Sequence, residues 1–319
     1  MIKPNSNIAA ISPYIPGKPI DEVKRDLGLD KIIKLASNEN NWGVPRQVVD
    51  RLQAAAKKSF LYPDGSLYRL RNKLAKKHSV QPNQFIFGNG SDELLQIIAL
   101  TYLNPDKKAL VSEGTFSEYA FSAKVVNAPI VTVPLKDYTY DLDGFLKKIT
   151  NSTKVVFLCN PNNPTGTCFS HSSLEAFLKK IPEDILVVID EAYYEFAFGD
   201  NYPDSLSLLK KYPNILVLRT FSKMFSLAGL RIGYGIGSPE VVSDLNRARQ
   251  PFNVNSMAEE AALAVLDENS WVDDLRTKIE AEKQFFYSKL KAINLEYLES
   301  KANFIFINVK TNAQELFRN

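Results

Sequence analysis

Lys223 stands in "RTFSKMFSLAGLR" (219–231), just after Ser222 and eight residues before Arg231. An amine among small and hydroxyl side chains can add to an aldehyde as a Schiff base or carry a proton. Taken alone it reads as a strand-end lysine that snorkels into solvent, so its chemistry must be judged by its company. Thr220, Ser222 and Arg231 could together hold a phosphate beside it. Asp190 closes the apolar start of "VVIDEAYYEF" (187–196). An acid at the end of a buried run is costly unless it meets a cation or metal, although a helix N-cap is the simpler alternative. Glu191 beside it and Tyr193 three residues on mark that stretch as a site.

Three more segments have the same double character. In "FGNGSDELL" (87–95) a strand ends in Gly-Asn-Gly, and Ser91 is a natural N-cap for the helix that follows. Free backbone N–H groups and the helix dipole would bind an anion there, or the segment is a plain turn. Phe116 in "TFSEY" (115–119) could stack on a planar ligand or join the core. The stiff turn "CNPNNPTG" (159–166) can aim asparagine side chains at a ligand.

The elements that must position these residues are legible as alternation. Strand candidates are "FIFG" (85–88), "ALVSE" (109–113), "PIVTVPL" (129–135), "KVVFLCN" (154–160), "ILVVID" (185–190), "ILVLRTF" (215–221) and "RIGYGIG" (231–237). Several are apolar throughout, as in strands buried on both faces. Helical patterns lie between them at 91–103, 116–126, 171–181 and 239–250. The alternation predicts an α/β fold with a mainly parallel, seven-stranded sheet flanked by helices. In such sheets ligands bind beyond the carboxyl ends of the strands, so the five segments should converge. A large cofactor-binding domain is expected over 30–250. A smaller α+β domain would come from 1–29 and 251–319, with a helix at 21–29, a long helix over 256–294 broken near "ENS", and a strand pair in "LEYLES" and "NFIFINV".

Composition narrows the function. A net charge of +3 over 319 residues gives no case for nucleic acid or a membrane surface. The two cysteines, Cys159 and Cys168, fit a reducing compartment without disulfides. The two histidines, His78 and His171, read as surface residues, and no metal is expected. The N-terminus lacks an apolar signal core, and no apolar run approaches the ~20 residues of a membrane span. A cytoplasmic enzyme is the expectation.

Phosphate donors, an aromatic plate, a buried acid, a phenol, an amide and an amine are together the inventory for pyridoxal 5′-phosphate. The chain resembles the fold-type I pyridoxal-phosphate-dependent aminotransferases, and within them the histidinol-phosphate aminotransferases. The resemblance rests on "KLASNEN" (34–40), "LYPDGS" (61–66), "GNGSDE" (88–93), "NPNNPTG" (160–166), "DEAYYEF" (190–196), "RTFSKMFSLAGLRIGY" (219–234), "PFNVN" (251–255) and "ANF" (302–304), which run in family order. It implies that Lys223 forms the Schiff base and then shuttles a proton, and that Asp190 keeps the pyridine nitrogen protonated. Tyr193 and Asn163 would bond the ring's phenolic oxygen. Gly90, Ser91 and Asp92 would offer the helix N-terminus to the phosphate, Thr220, Ser222 and Arg231 would complete the cradle, and Phe116 would stack on the ring. Tyr62 would reach the phosphate of a neighbouring subunit in a homodimer. Tyr14 in "SPYIPG" and Asn38 in "ASNEN" would lie near the substrate. The implied reaction moves an amino group between L-histidinol phosphate and 2-oxoglutarate, giving L-glutamate, in histidine biosynthesis.

Two departures from the family pattern stand out. "NENNWG" has Asn41 where the family often has proline, and the chain stops at "QELFRN", short of a segment that carries an anion-binding arginine. Arg318 does not match that context. A truncated small domain, binding cofactor better than substrate, is therefore expected. The runner-up activities are an aromatic-amino-acid aminotransferase and a threonine-phosphate decarboxylase. A ligand-sensing regulatory domain would need a DNA-binding module, for which the proline-rich first 30 residues are too short.

Overall fold

All seven apolar runs fold as strands of one sheet in the computed structural model, which describes residues 2–13, 17–197, 199 and 201–318. They are β1 (Phe85–Gly88), β2 (Lys108–Ser112), β3 (Ile130–Val133), β4 (Thr153–Cys159), β5 (Leu186–Asp190), β6 (Ile215–Thr220) and β7 (Gly233–Gly237), in the spatial order β1-β7-β6-β5-β4-β2-β3. Strands β2 to β6 pair in parallel. β7 runs antiparallel between β6 and β1. Every residue of β5, β6 and β7 is buried, which is why these runs carry no polar alternation. The chain passes from β2 outward to β3 and then back across β2 to β4. A sheet whose order reverses in this way leaves a crevice beyond the carboxyl ends of the two strands at the reversal.

Helix Ser91–Tyr102 packs between Glu118–Val125 and Pro239–Ala248 and touches β1, β6 and β7. Its buried residues Leu94, Leu95, Ile97, Ile98 and Ala99 cover the sheet at helical spacing. The helices that the sequence pattern does not reveal include Arg46–Ala56 and Tyr68–His78. Their apolar stripes are narrow: Val48 and Ala55 in the first, Leu70, Leu74 and Ala75 in the second. Both close on helix Ser256–Val265, far away in sequence. Seven of that helix's ten residues are buried, and the core built on the sheet continues into it.

The break expected near "ENS" falls at 266–268, between Ser256–Val265 and Asn269–Ala292. The expected strand pair shrinks to β8 (Glu296–Tyr297) and β9 (Ile307–Asn308), antiparallel. A second small cluster joins the long helix to the crevice: Leu275 and Ile279 meet Tyr193, Met224 and Ala302. Among the described residues no helix is long and apolar enough to cross a membrane, and no three His, Cys, Asp or Glu side chains gather as a metal cluster.

Candidate active site

A cavity of about 540 Å³ lies at the carboxyl ends of the strands. Thirteen of the fourteen sequence-chosen positions fall among the described residues, and the structure brings nearly all of them to this one cavity.

The anion end is built from two turns. Gly90 caps helix Ser91–Tyr102 with φ +84°, a backbone conformation that favours glycine, and a Cβ there would push the Arg231 guanidinium aside. Ser91, expected as the N-cap, is instead the first helical residue, because the left-handed turn needs glycine one position earlier. The first amides of this helix have no intrahelical partner. Asn253 Nδ2 braces the turn from behind, donating to Phe87 O at 3.0 Å and to Glu93 Oε2 at 2.6 Å. Opposite, Thr220 Oγ1 donates to Ser222 Oγ at 3.0 Å and accepts from Ser222 N at 3.1 Å. Arg231, itself held at φ +56°, bridges the turns: Nη2 donates to Asp92 Oδ2 at 2.9 Å and Nη1 to Ser222 Oγ at 3.4 Å. A non-glycine residue at positive φ stores strain of about 1–3 kcal/mol, which functional sites tolerate. The Asp92 carboxylate positions Arg231; only its backbone N–H suits an anion.

The acid end is Asp190, at the last position of β5 and 3% exposed. Tyr119 Oη donates to Oδ2 at 2.7 Å and Ala192 N to Oδ1 at 3.0 Å. Burial pushes the carboxyl up to about 6, against the pull of those two donors. Tyr119 was not singled out in the sequence. It is completely buried, its ring stacked on Phe157 at 5.1 Å and edge-on to Phe116 at 5.7 Å. The signal was available, since a tyrosine on an apolar helix face needs a partner for its hydroxyl.

Between the two ends sits the amine. Lys223 Nζ donates to Ser37 O at 3.2 Å and lies 5.6 Å from the centre of the Tyr193 ring. Burial lowers its pKa, and Arg231 adds to this, while Asp92, Glu39 and Asp190 oppose. The Tyr193 hydroxyl accepts from Asn38 Nδ2 at 3.0 Å and Asn163 Nδ2 at 3.3 Å. Asn38 is fixed in turn by Asn303, which donates to its backbone carbonyl at 3.1 Å. Asn162, between two X-Pro units, ties the turn after β4 to the one after β2 through Gly114 O at 2.8 Å and Thr115 Oγ1 at 2.9 Å. Phe116 lines the cavity at that junction.

Four positions need correction or fall elsewhere. Glu191 does not face the cavity. Neighbouring positions at a strand end point to opposite sides, and its carboxylate is buried in an ion pair with Arg219 at 2.7 Å. His78 is not a free surface histidine: it contacts the Tyr234 hydroxyl at 3.2 Å, and burial with nearby Arg219 lowers it to about 3. Tyr62 lies outside its own chain's cavity. It is 84% exposed and stacks on Phe252 at 4.9 Å. Tyr14 lies outside the described residues.

These residues fit pyridoxal 5′-phosphate. Amides, hydroxyls and a guanidinium form a cradle for its phosphate. Asp190, in no ion pair among the described residues, suits a protonated ring nitrogen. A depressed amine stands between them, where an aldehyde could be held.

The aminotransferase class I and II family matches this chain over residues 30–319. Histidinol-phosphate aminotransferase from Moorella thermoacetica is 45% identical over 312 residues, 98% of this chain and 81% of that one. The enzyme of that name from Caldicellulosiruptor saccharolyticus is 45% identical over 311 residues, 98% and 87% of the two chains. The crystal structure of histidinol-phosphate aminotransferase from Sinorhizobium meliloti in complex with pyridoxal-5′-phosphate superposes with a TM-score of 0.90 at 27% identity, covering 98% of this chain and 84% of that one.

Proposed function

This chain belongs to the class I and II aminotransferases, and we infer that it moves an amino group between L-histidinol phosphate and 2-oxoglutarate in histidine biosynthesis. Its cofactor is pyridoxal 5′-phosphate. The observation that carries this reading is one cavity in which a depressed lysine lies between an anion cradle and a buried acid. Relatives that share the histidinol-phosphate name at 42–45% identity favour that donor over aromatic amino acids. The test is glutamate formation from 2-oxoglutarate with histidinol phosphate, tyrosine or phenylalanine as donor. Histidinol phosphate should be used most efficiently by kcat/KM; a clear preference for tyrosine would overturn the assignment.

When bound, the cofactor supplies an aldehyde for the amino group and a ring that accepts electrons from the substrate's α-carbon. Lys223 would hold it through Nζ, and its amine would move the proton at the substrate's Cα. Asp190 holds a proton on the ring nitrogen. Tyr193 and Asn163, which line the cavity, would donate to the ring's phenolic oxygen, and Phe116 would cover the ring face. The helix amides at Gly90, Ser91 and Asp92, with Thr220, Ser222 and Arg231, anchor the phosphate. Asn38, which lines the cavity and donates to the Tyr193 hydroxyl, is proposed to contact substrate, as is Tyr14. Two free cysteines suit a cytoplasmic setting.

The working unit we propose is a homodimer in which Tyr62 serves the partner's phosphate. In support, Tyr62 is presented outward on a braced loop. Asp64 accepts from Ser66 N and Tyr68 N, and Arg249 donates to Gly65 O at 2.9 Å. Mixing an inactive Lys223→Ala chain with a Tyr62→Phe chain of weakened phosphate binding should regenerate wild-type sites in hybrid dimers. Activity above the sum of the separate chains is the expected result. A fully active monomer by light scattering rules the arrangement out.

A further inference from the structure

We propose that Tyr119 is a positioning residue that holds Asp190 aimed and ionised for the cofactor's ring nitrogen. The inference rests on the reading of Asp190 as that nitrogen's partner. Asp190 closes an entirely buried strand, and only two donors reach its carboxylate among the described hydrogen bonds. The Ala192 amide is local and fixed by the turn. Tyr119 is the donor that comes from another element, helix Glu118–Val125. Its ring cannot swing away, because it is completely buried and stacked on Phe157 with the planes 11° apart. Burial and nearby Asp190 keep its phenol pKa well above the usual value, so it donates at every physiological pH. A carboxylate oxygen has a second lone pair, so accepting from Tyr119 leaves capacity for a ring N–H.

The charged groups facing Asp190 make this donor matter. Asp92 from helix Ser91–Tyr102 and Glu191 on its own strand end both disfavour its ionised form. Cys159 on β4 and the phenols of Tyr140 and Tyr193 are held neutral by burial. Lys223, itself lowered by burial, is the cation that senses Asp190. Tyr119 is therefore the fixed side-chain donor on the favourable side, and without it the carboxyl gains its proton more easily.

The test is Tyr119→Phe, which keeps the ring on Phe157. Cofactor affinity is titrated against pH by absorbance, with Asp190→Asn alongside. A donor worth about one pKa unit would weaken binding by about twofold near pH 7 and by up to roughly tenfold below about pH 6, and move the midpoint of the pH–affinity curve upward by about one unit. The loss should close again at alkaline pH, where the carboxyl ionises unaided. Should the variant not fold, 3-fluorotyrosine at position 119, a stronger donor of the same shape, should move the midpoint downward. A loss equal at all pH values, or no shift with either side chain, overturns the proposal. If Asp190→Asn removes the pH dependence while the Tyr119 changes leave it alone, the inference fails and the reading of Asp190 stands. If Asp190→Asn leaves the dependence intact, both fail.

Discussion

Lys223→Ala is expected to fold normally and to lose transamination by about four orders of magnitude, since covalent attachment and proton transfer at Cα disappear together. Folding should survive because the amine is a burden on the fold. Among the described residues it makes one hydrogen bond, to Ser37 O at 3.2 Å, and burial lowers its pKa. That depression is what the chemistry uses. A neutral amine is needed to attach to an aldehyde, and its neutral fraction grows as pH rises through the lowered pKa. Activity should therefore climb on the alkaline side well before an ordinary lysine would lose its proton. Lys223→Arg is the sharper control: it keeps the charge between Asp92 and Asp190 but cannot give up its proton. Both variants should still take up cofactor, because the phosphate cradle is built from other residues. Borohydride reduction of the wild-type enzyme, followed by peptide mapping, should place the cofactor on Lys223. A label on another lysine, or an alanine variant keeping more than about a hundredth of the turnover, would sink the assignment.

The residues around Lys223 also show how far a sequence can be read. All seven sheet strands were visible because burial on both faces leaves apolar runs such as "ILVVID" with little to confuse them. The convergence of their ends followed from parallel pairing, so Asn163, Asp190 and Thr220 were found by where their strands stop. What was lost depends on distance in space. Helices Arg46–Ala56 and Tyr68–His78 bury stripes too narrow to announce themselves until Ser256–Val265 closes on them. Glu191 carries the same charge as Asp190 one position earlier, and only the direction of its side chain, towards buried Arg219, separates it from the acid that faces the cavity. His78 looked exposed among lysines, although its ring turns inward to Tyr234. Gly90 rather than Ser91 caps helix Ser91–Tyr102 because the turn there has a positive φ, and the Arg231 guanidinium that closes on it comes from far along the sequence. The setting of Tyr119 in "TFSEY" says that its hydroxyl needs a partner, but nothing local says that the partner is an acid.

Asp190→Asn should cut turnover by about two to three orders of magnitude while leaving the cofactor-free chain at least as stable as wild type at alkaline pH. The two effects have one cause. Burial raises the carboxyl from 3.8 to about 6, so the folded state binds its proton more tightly than the unfolded state does. The sign follows from linkage: the fold loses stability as pH rises from about 4 to about 6, and above that the full penalty applies, on the order of 3 kcal/mol. An asparagine carries no charge and escapes this penalty. The gain should be smaller than the whole penalty. The carboxylate accepts from Tyr119 at one oxygen and from Ala192 at the other, whereas an amide accepts at only one end. One donor is thus left facing an NH₂ group, at a cost of about 1–3 kcal/mol unless the phenol rotates to accept instead. Between about pH 4 and pH 6 the wild-type melting temperature should fall on this account and then level off towards pH 8, while that of the variant should fall less. Turnover moves the other way, because an amide cannot hold a proton on the ring nitrogen and the ring draws electrons from the α-carbon less strongly. Thermal melts of the cofactor-free chains across that range, set beside kcat for the loaded enzymes, test both halves. Near-normal turnover in the variant would remove Asp190 from the chemistry, and parallel melting curves would show that its carboxyl is not destabilised by burial.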